Sequence, residues 1–377
     1  MTAREGRDRR GVRGAGARAQ AERADRVVVE ISRRGKLVVG EPFFTPGTPI
    51  VLDRHGVGDA VPGDLVVARI PLRGRARVER VLGPSKSIEA VLEGLLVENG
   101  ARTEFEPHER PEPSLEGRVD LRDLTTFTID PETAKDFDDA ISVRPDGEGL
   151  RAWVHIADVS YFVPAGSPLD RGAARRALST YVPGVVAPML PHELADDACS
   201  LRPHVDRLCV TVEIPFVGKS LELGEPSFYR SVIRSDARLT YGQAERILAG
   251  SENAPTPETG EALALTERLT GELRRRRFAR GALRIESREV AFAFDGQGGV
   301  ERAWRESEPH AHVLVEELMI LANECVARLL SSRRREALYR VHERPDPQAI
   351  TLLLAKLADL DIPTPPVPDE EKITPSE

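Results

Sequence analysis

A cluster of four aspartates marks the segment TIDPETAKDFDDA, which spans Thr128 to Ala140. The four are Asp130, Asp136, Asp138 and Asp139. Only Lys135 supplies a positive charge within the segment. Like charges repel one another and resist the loss of water, so a folded cluster of carboxylates needs a bound cation, a shared proton or open solvent. Oxygen ligands at this density favour Mg²⁺, with Mn²⁺ as the next candidate.

Other interpretations of the cluster must be weighed against a metal site. A solvated acidic turn has the same composition. A calcium loop of the EF-hand type is excluded, because no Gly follows Asp139 and Ile141 stands where the closing Glu belongs. Asp136 and Asp138 have the DxD spacing of one phosphatase type, but such an enzyme needs its nucleophilic Asp directly after a strand. Asp130 stands at that position, and its second neighbour is Glu132 instead of an Asp. A two-metal phosphodiesterase would use such carboxylates to neutralise phosphate, activate water and stabilise the leaving oxygen.

The surrounding residues predict how the cluster is positioned. Asp130 ends the strand-like run TTFTID, and Pro131 then forces a turn, so the four carboxylates converge on one loop. From about Arg118 onward, further strand-like runs alternate with helical segments, which predicts a mixed α/β region. These runs are LRAWVHIADV, RLCVTVEIPF, FYRSVIR and REVAFAFD.

One helix predicted in this region is apolar on almost every side. It runs from His312 to Leu330, and its composition predicts a buried helix. Glu316, Glu317 and Asn323 within it therefore need polar partners.

The N-terminal part of the chain has a different character. Residues 1–26 are rich in Arg, Gly and Ala and predict a disordered basic arm. Residues 27–85 contain five short strand-like runs and predict a small β-barrel of the OB or cold-shock type. Residues 86–117 predict a helix, SIEAVLEGLLVEN, and a linker. The expected fold class is α+β, with the barrel followed by a mixed α/β catalytic domain over residues 118–362.

The C-terminal part is predicted to contain one more helix, from Asp346 to about Leu360. Residues 363–377 then form a Pro-rich acidic loop. Because a complete domain seldom ends inside a polar connector, we expect the α/β domain to be incomplete at this end.

Composition limits the class of protein. The 377 residues are 40% hydrophobic, enough for a large core, and the net charge of −8 argues against coating nucleic acid by bulk charge. No apolar run approaches the roughly 20 residues that cross a bilayer, and the N-terminus lacks the apolar middle of a signal peptide. A cytoplasmic protein without a membrane partner is expected. Three cysteines without a CxxC pair predict neither zinc nor a disulfide partner.

Six motifs in order resemble the landmarks of a known family. They are TIDPETAKDFDDAISV, WVHIADVSYFV, LSTYVPGVVAPMLPHELADDACSL, ARGALRIE, LVEELMILANECVA and YRVHERPDP. From about Arg118 to Pro347 the chain resembles the RNB-type catalytic domain of the ribonuclease II / ribonuclease R exoribonucleases. The resemblance implies a Mg²⁺-dependent hydrolase that degrades single-stranded RNA from the 3′ end to nucleoside 5′-monophosphates.

The resemblance also implies roles for single residues. Asp130, Asp136 and Asp139 hold metal, and Asp138 is a metal ligand or orients the attacking water, so Asp138 and Asp139 are the expected catalytic pair. The substrate-binding residues are Tyr181, which stacks on the terminal base, Tyr241, which recognises the ribose, one of Glu316 and Glu317, and Arg280. The arginine run Arg274–Arg277 is interpreted as a solvated helix face. His155, Asp158 and His342 are interpreted as core residues.

Two departures from the family pattern matter. Ile285 stands where relatives often carry a Phe that helps to sandwich the terminal base. A Ser-Pro-x-Arg-Arg-Tyr segment that contacts the scissile phosphate, and a C-terminal OB-type domain, are absent from these residues. We therefore expect part of a longer exoribonuclease. The alternatives are a non-catalytic RNA-binding protein of the same fold and an unrelated Mg²⁺ phosphomonoesterase. RNA sequence preference and oligomeric state are not predicted.

Overall fold

The structure is a computed structural model that describes residues 26–71, 74–102, 105, 107–182, 185–283, 289–295, 299–306, 310–339, 341 and 343–364. The predicted basic arm lies outside these ranges except for Arg26, and so do Ile285, His342 and residues 365–377 of the Pro-rich loop. The chain divides into two compact units. The first unit comprises Met1–Arg110, Val163–Ala195 and Glu289–Glu306. The second unit comprises Pro111–Phe162, Asp196–Arg288 and Ser307–Glu377.

Helices and strands occur in both units. The α-helices in the described ranges are α1 (Ile88–Glu98), α2 (Val159–Phe162), α3 (Pro168–Arg176), α4 (Tyr241–Leu248), α5 (Pro257–Ala279), α6 (His310–Ser332) and α7 (Pro347–Asp359). The strands of the first unit are β1 (Arg26–Arg34), β2 (Leu37–Pro42), β3 (Ile50–Val51), β4 (Asp64–Arg69), β5 (Arg77–Pro84), β10 (Thr180–Val182), β11 (Val185–Ala187), β16 (Glu289–Phe294) and β17 (Val300–Glu306). The strands of the second unit are β6 (Val119–Asp120), β7 (Phe127–Asp130), β8 (Asp139–Asp146), β9 (Gly149–Ala157), β12 (Asp206–Val217), β13 (Glu222–Leu223), β14 (Ser227–Arg234) and β15 (Ala237–Thr240).

The first unit is built on a five-stranded sheet in the order β3-β2-β1-β4-β5. All neighbours in it are antiparallel. Gly35 adopts φ +63° in the two-residue turn between β1 and β2, a conformation that glycine adopts without strain. An isolated parallel bridge pairs Leu52, just after β3, with Ala76, just before β5. The predicted N-terminal group of strands is therefore confirmed as a sheet.

Helix α1 lies against this sheet, where the sequence predicts a helix. The Ser87 hydroxyl accepts a hydrogen bond from the Ala90 amide at its N-terminus, and Asn99 ends it. A Cβ at Gly94 would meet side-chain carbons of Phe44 and Val28 at 3.1 and 3.2 Å, so glycine allows close packing here. Strands β10 and β11 pair in a separate two-stranded sheet, and β16 and β17 pair in another.

The second unit is built on a mixed sheet in the order β15-β7-β8-β9-β12-β14-β6, with β13 beside β12. The β15–β7 and β14–β6 pairs are parallel and the others antiparallel. Apolar strand residues such as Phe127 and Val154 share one buried cluster with Leu263 of α5 and Leu318 of α6. Burial of this apolar surface stabilises the sheet beneath the acidic segment.

A chain of buried polar side chains also crosses this sheet. Ser142 lies 2.8 Å from the Thr126 hydroxyl and 3.1 Å from Nε2 of His155. His155 Nδ1 lies 2.8 Å from the Thr211 hydroxyl, which in turn lies 2.6 Å from the Ser231 hydroxyl. All five residues are fully buried. Burial lowers the pKa of His155 to about 3, so the ring is neutral, and the interpretation of His155 as a core residue is confirmed.

Helix α6 differs from the sequence-based prediction of a helix buried on all sides. It extends from His310 to Ser332, and only part of its circumference is buried. Asn323 is exposed, so the predicted need for a buried partner at this position is wrong. The three cysteines are buried thiols. Among the described residues, no helix is long and apolar enough to span a membrane.

Substituting His155 tests the buried polar chain. The unfolded ring takes up a proton near its usual pKa of 6.5, whereas the folded ring stays neutral down to about pH 3, so this residue stabilises the fold above pH 6.5 and less so below it. Between pH 7.5 and 5 we expect the free energy of unfolding to lose about 2 kcal/mol through His155. His155→Gln should remove that component.

The measurement is urea unfolding followed by Trp153 fluorescence in a Trp304→Phe background. His204→Asn serves as the control, because His204 is exposed. Equal pH dependence of His155→Gln and wild type would contradict the prediction.

Candidate active site

Parallel pairing of β7 with β15 positions the first carboxylate. In this pair Asp130 lies opposite Thr240, so both strands end side by side. Thr240 caps α4 through a capping box with Gln243, and Tyr241 is the first residue of that helix. Asp130 and Tyr241 are therefore brought to the same edge of the sheet by backbone hydrogen bonds.

The carboxylate loop, residues 131–138, connects β7 to β8 and carries Asp136 and Asp138. Its beginning is held by Arg238, whose Nη2 donates to the carbonyl oxygens of Pro131 at 2.6 Å and Glu132 at 3.0 Å. The same guanidinium carbon lies 5.4 Å from the centre of the Phe137 ring. One arginine thus contacts the loop near both of its ends.

The end of the carboxylate loop is held by neutral groups. The buried Ser200 hydroxyl donates to the Lys135 carbonyl at 2.8 Å and accepts from the Phe137 amide at 3.1 Å. The Leu201 amide donates to the Phe137 carbonyl at 2.8 Å, and the Ala157 amide to that of Asp138 at 3.0 Å. These contacts satisfy both backbone polar groups of the buried Phe137 and the carbonyl oxygens of Lys135 and Asp138.

The four carboxylates are close enough to affect one another. Burial raises the pKa of Asp130 to about 6; the Thr128 hydroxyl and Arg238 oppose this shift, and Asp136 and Asp138 add to it. Burial, Asp130 and Asp138 together raise the pKa of Asp139 to about 7. The pKa of Asp138 is raised first by loss of hydration and then by the charge of Asp136. The carboxylates predicted to share a loop therefore share an electrostatic environment.

Their chemistry fits a divalent cation. Asp130 is 8% exposed, and its Oδ2 is buried without a hydrogen-bond partner among the described residues. A buried acceptor without a donor, beside further carboxylates, is the environment that a hard cation stabilises. In the described part of the chain, no three His, Cys, Asp or Glu side chains already have the geometry of a metal site. The four carboxylates are thus neighbours, but no three of them surround a common point in the described structure.

Tyr241 lies beside these carboxylates. Burial, then the charges of Asp130 and Asp139, raise the pKa of its hydroxyl to about 12. Its ring centre is 5.5 Å from that of His312 on α6. The electrostatic environment of Tyr241, a predicted substrate-binding residue, thus includes the acidic cluster.

Glu316 and Glu317 of α6 have different environments. Glu317 is 2% exposed, and its carboxylate receives hydrogen bonds from Arg277 Nε at 3.1 Å and Nη2 at 2.6 Å. Glu316 is 37% exposed and lies 3.4 Å from the same guanidinium. Because Arg277 pairs with a buried carboxylate, and Arg276 donates to the Leu221 carbonyl at 2.9 Å, the interpretation of Arg274–Arg277 as a wholly solvated face is wrong.

The remaining predicted residues lie elsewhere. Tyr181 is in the β10–β11 hairpin of the first unit, with 63% of its side chain exposed, so it is not a core aromatic. Arg280 is exposed at the C-terminal cap of α5. Asp158 forms a buried ion pair with Arg118 at 2.6 Å, in keeping with its interpretation as a core residue.

Comparison with known proteins decides the family. A model of the RNB domain matches residues 118–375, which is well over half of the chain. The chain belongs to the RNB family. The family resemblance of the sequence motifs is thereby confirmed.

Individual relatives agree with this assignment. Ribonuclease R of Escherichia coli (strain K12) is 35% identical over 387 residues, which cover 93% of this chain and 47% of the relative. The chain spans about half the length of the curated relatives it matches. RNase R of Mycoplasma genitalium, solved with double-stranded RNA, matches with a TM-score of 0.83 and 25% identity over 93% of this chain and 65% of that chain.

A more distant structure shares the fold alone. Yeast Ssd1, described as a pseudonuclease, matches with a TM-score of 0.65 and 19% identity over 89% of this chain and 45% of that chain. The RNB fold of this chain therefore also occurs in a protein described as lacking nuclease function.

Sequence reasoning missed three residues that hold predicted site residues or their loop. Arg238 and Ser200 hold the carboxylate loop, and Arg277 neutralises Glu317. Ser200 lies within the quoted motif that ends ADDACSL, and Arg238 lies three residues before Tyr241, a predicted substrate-binding residue. The pairing of Arg277 has no sequence signal, because it depends on how α5 packs against α6.

Substitutions of Glu316 and Glu317 in α6 test whether their pairings with Arg277 differ in strength. Glu317→Ala leaves Arg277 partly buried without its carboxylate, so we expect the free energy of unfolding to fall by about 2–3 kcal/mol. Glu316→Ala removes a half-exposed partner and should cost less than about 1 kcal/mol. Urea unfolding of the two variants side by side measures both values. Equal losses in the two variants would contradict the assignment.

Proposed function

We propose that this chain carries the metal-binding half of a Mg²⁺-dependent exoribonuclease that removes nucleoside 5′-monophosphates from the 3′ end of single-stranded RNA. Membership of the RNB family and the 35% identity to Ribonuclease R of E. coli support this class of reaction. The observation that carries the proposal is the cluster of mutually destabilised carboxylates at the end of β7, with a buried Asp130 oxygen that has no donor in the described part of the chain.

In the proposed site, Asp130, Asp136, Asp138 and Asp139 would hold Mg²⁺ or Mn²⁺. The bound cation supplies charge neutralisation at the phosphate and a water of lowered pKa. Ligands must be deprotonated, so cation affinity falls as the pH drops through the pKa values of Asp139, about 7, and Asp130, about 6.

Asp138 is assigned the role nearest the chemistry. Although Asp138 loses part of its hydration, it keeps the largest solvent exposure of the four aspartates, since Asp130 is buried and Asp136 and Asp139 are half-buried. An exposed carboxylate at the rim can orient a water toward a phosphate. Asp130 and Asp139, held by β7 and β8, form the fixed part of the site.

The environments of the glutamates favour Glu316 over Glu317 as the residue that faces the ribose. Glu317 is already satisfied by Arg277, whereas Glu316 retains exposed acceptor oxygens. Tyr241, beside Asp130 and Asp139, is the proposed second ribose contact. Contacts to the 2′-hydroxyl distinguish RNA from DNA.

The first unit is proposed to bind RNA. The parallel bridge between Leu52 and Ala76 connects the residues next to the two edge strands of its sheet, which favours an OB or cold-shock-like barrel. Folds of this type present a sheet face and aromatic side chains to single strands. In the same unit, the exposed Tyr181 is proposed to stack on a base, and the exposed Arg280 of the second unit to contact a phosphate.

An RNA-binding protein without turnover is the second candidate. The likeness of the fold to Ssd1, described as a pseudonuclease, favours it. Such a protein binds RNA with a steep dependence on salt, because phosphate contacts release counterions, and does not shorten the RNA with Mg²⁺ present.

The Asp138→Asn variant separates these candidates. We expect the wild-type chain with Mg²⁺ to shorten a 5′-labelled oligoribonucleotide stepwise and to release nucleoside 5′-monophosphates. Loss of the Asp138 charge should slow this by at least about 100-fold, because the metal site loses a ligand or a water-orienting group. Asp123→Asn, at an exposed acidic position, is the control. Internal cuts, or equal rates for Asp138→Asn and wild type, contradict the exoribonuclease.

Substitution of Tyr181 tests base stacking apart from turnover. Stacking contributes about 1–3 kcal/mol per base, so Tyr181→Ala should weaken the binding of a single-stranded oligoribonucleotide in EDTA by about 5-fold to 100-fold. Tyr181→Trp should retain binding. Fluorescence anisotropy measures the affinities, with Tyr339→Ala as a control at another exposed tyrosine. Unchanged binding by Tyr181→Ala would remove this residue from the site.

A further inference from the structure

We infer that Arg238 is a positioning residue for the metal site, because its guanidinium holds the carboxylate loop in the conformation that receives the cation. The inference rests on the proposed function and names the residue on which the geometry of its metal site depends. Arg238 belongs to β15, the strand that lies parallel to β7. Its backbone position is thus fixed independently of the carboxylate loop.

The contacts of Arg238 bracket the loop. Nη2 donates to two successive carbonyl oxygens, those of Pro131 and Glu132. The guanidinium also lies 5.4 Å from the ring centre of Phe137, six residues beyond Pro131. Phe137 directly precedes Asp138, and Glu132 follows Asp130 by two positions. A single planar group therefore fixes the separation between the strand carboxylate and the loop carboxylates.

The groups of Ser200, Leu201 and Ala157 that support the end of the loop are neutral, and within the loop the Ala134 amide donates to the Pro131 carbonyl at 3.1 Å. Ser200 and the Leu201 amide hold Lys135 and Phe137, and these contacts do not reach Pro131 or Glu132. Without Arg238, the Glu132 carbonyl loses the side-chain donor that holds it, and the Pro131 carbonyl keeps only the turn hydrogen bond from the Ala134 amide. The four carboxylates then repel one another across a loosened loop. The expected result is a site that must be assembled when the cation binds.

The geometry requires an arginine. A guanidinium donates in its plane and stacks on an aromatic ring with its face, whereas an ammonium is a point charge with neither property. Nε of Arg238 is buried and has no hydrogen-bond partner among the described residues, so the inner side of the guanidinium is shielded from solvent although the residue as a whole is half-buried. Arg238→Lys keeps the charge but loses the paired contacts with the two carbonyl oxygens and the Phe137 ring, and Arg238→Met loses both the charge and these contacts.

Two effects of the guanidinium on a cation have opposite signs. Its charge repels the cation, whereas its contacts keep the carboxylates in position. The hydrogen bonds of Arg238 go to neutral carbonyl oxygens and leave the carboxylate oxygens available, so positioning dominates. Both variants should therefore bind the cation more weakly than wild type.

Mn²⁺ titration of the full 377-residue chain, followed by electron paramagnetic resonance of free Mn²⁺, tests the inference. Arg238→Met and Arg238→Lys should raise the Kd by about tenfold or more, the usual effect of removing a residue that supports metal ligands. Arg144→Met is the matched control, because Arg144 also stacks on an aromatic ring, 5.1 Å from Trp153, in the same sheet. It should stay within about twofold of wild type.

A second readout needs no metal. Lys135 is exposed in the middle of the carboxylate loop, so endoproteinase Lys-C reports how often the loop opens. With EDTA present, cleavage after Lys135 should be faster in both Arg238 variants than in wild type or Arg144→Met. Circular dichroism at matched temperature identifies a variant that has failed to fold, and the milder Arg238→Lys then carries the test.

The outcomes separate this inference from the proposed function. One outcome is that wild type binds Mn²⁺, Asp138→Asn does not, and the Arg238 variants bind it as tightly as wild type or more tightly. This outcome overturns the positioning role of Arg238 but supports the metal site. Failure of wild type to bind Mn²⁺ overturns the metal site itself, and the positioning role falls with it. Weaker binding together with faster cleavage after Lys135 supports both.

Discussion

The pairing of β15 with β7 is the interaction on which the acidic site depends. It aligns Asp130 with Thr240, so that a strand end, a helix start and the beginning of the carboxylate loop meet at one sheet edge. Backbone hydrogen bonds, which are insensitive to side-chain charge, fix this arrangement. The positions of the like-charged carboxylates therefore do not depend on interactions among the carboxylates themselves.

The unfavourable free energy of the acidic cluster is partly offset by stabilising contacts of the residues around it. Buried carboxylates with raised pKa values are destabilising until a cation or proton arrives, and the surrounding groups offset only part of this. Arg238 and Ser200 restrain the backbone, and the apolar packing of α5 and α6 against the sheet stabilises what lies beneath. Such a division between a strained site and a stable support is common where pKa values are perturbed for function.

The sequence predicted local features well and tertiary partners poorly. The strand that ends at Asp130, the capped helix after Ser87 and the helix after Asp346 were all readable, because periodicity and capping residues are local signals. The four aspartates were readable from spacing. Asn323 and Arg277 were misinterpreted, since exposure on α6 and the pairing of α5 with Glu317 depend on packing between helices that no local pattern encodes.

The buried polar chain through His155 has a consequence for how this family can vary. The Ser142 and Thr211 hydroxyls each contact two other members of the chain, so replacing either one by an alkyl group leaves its neighbours without that partner. Tolerated changes must therefore come in matched sets across Ser142, Thr211 and their neighbours. Covariation among these core positions, well away from the aspartates, is the evolutionary trace that such a chain would leave.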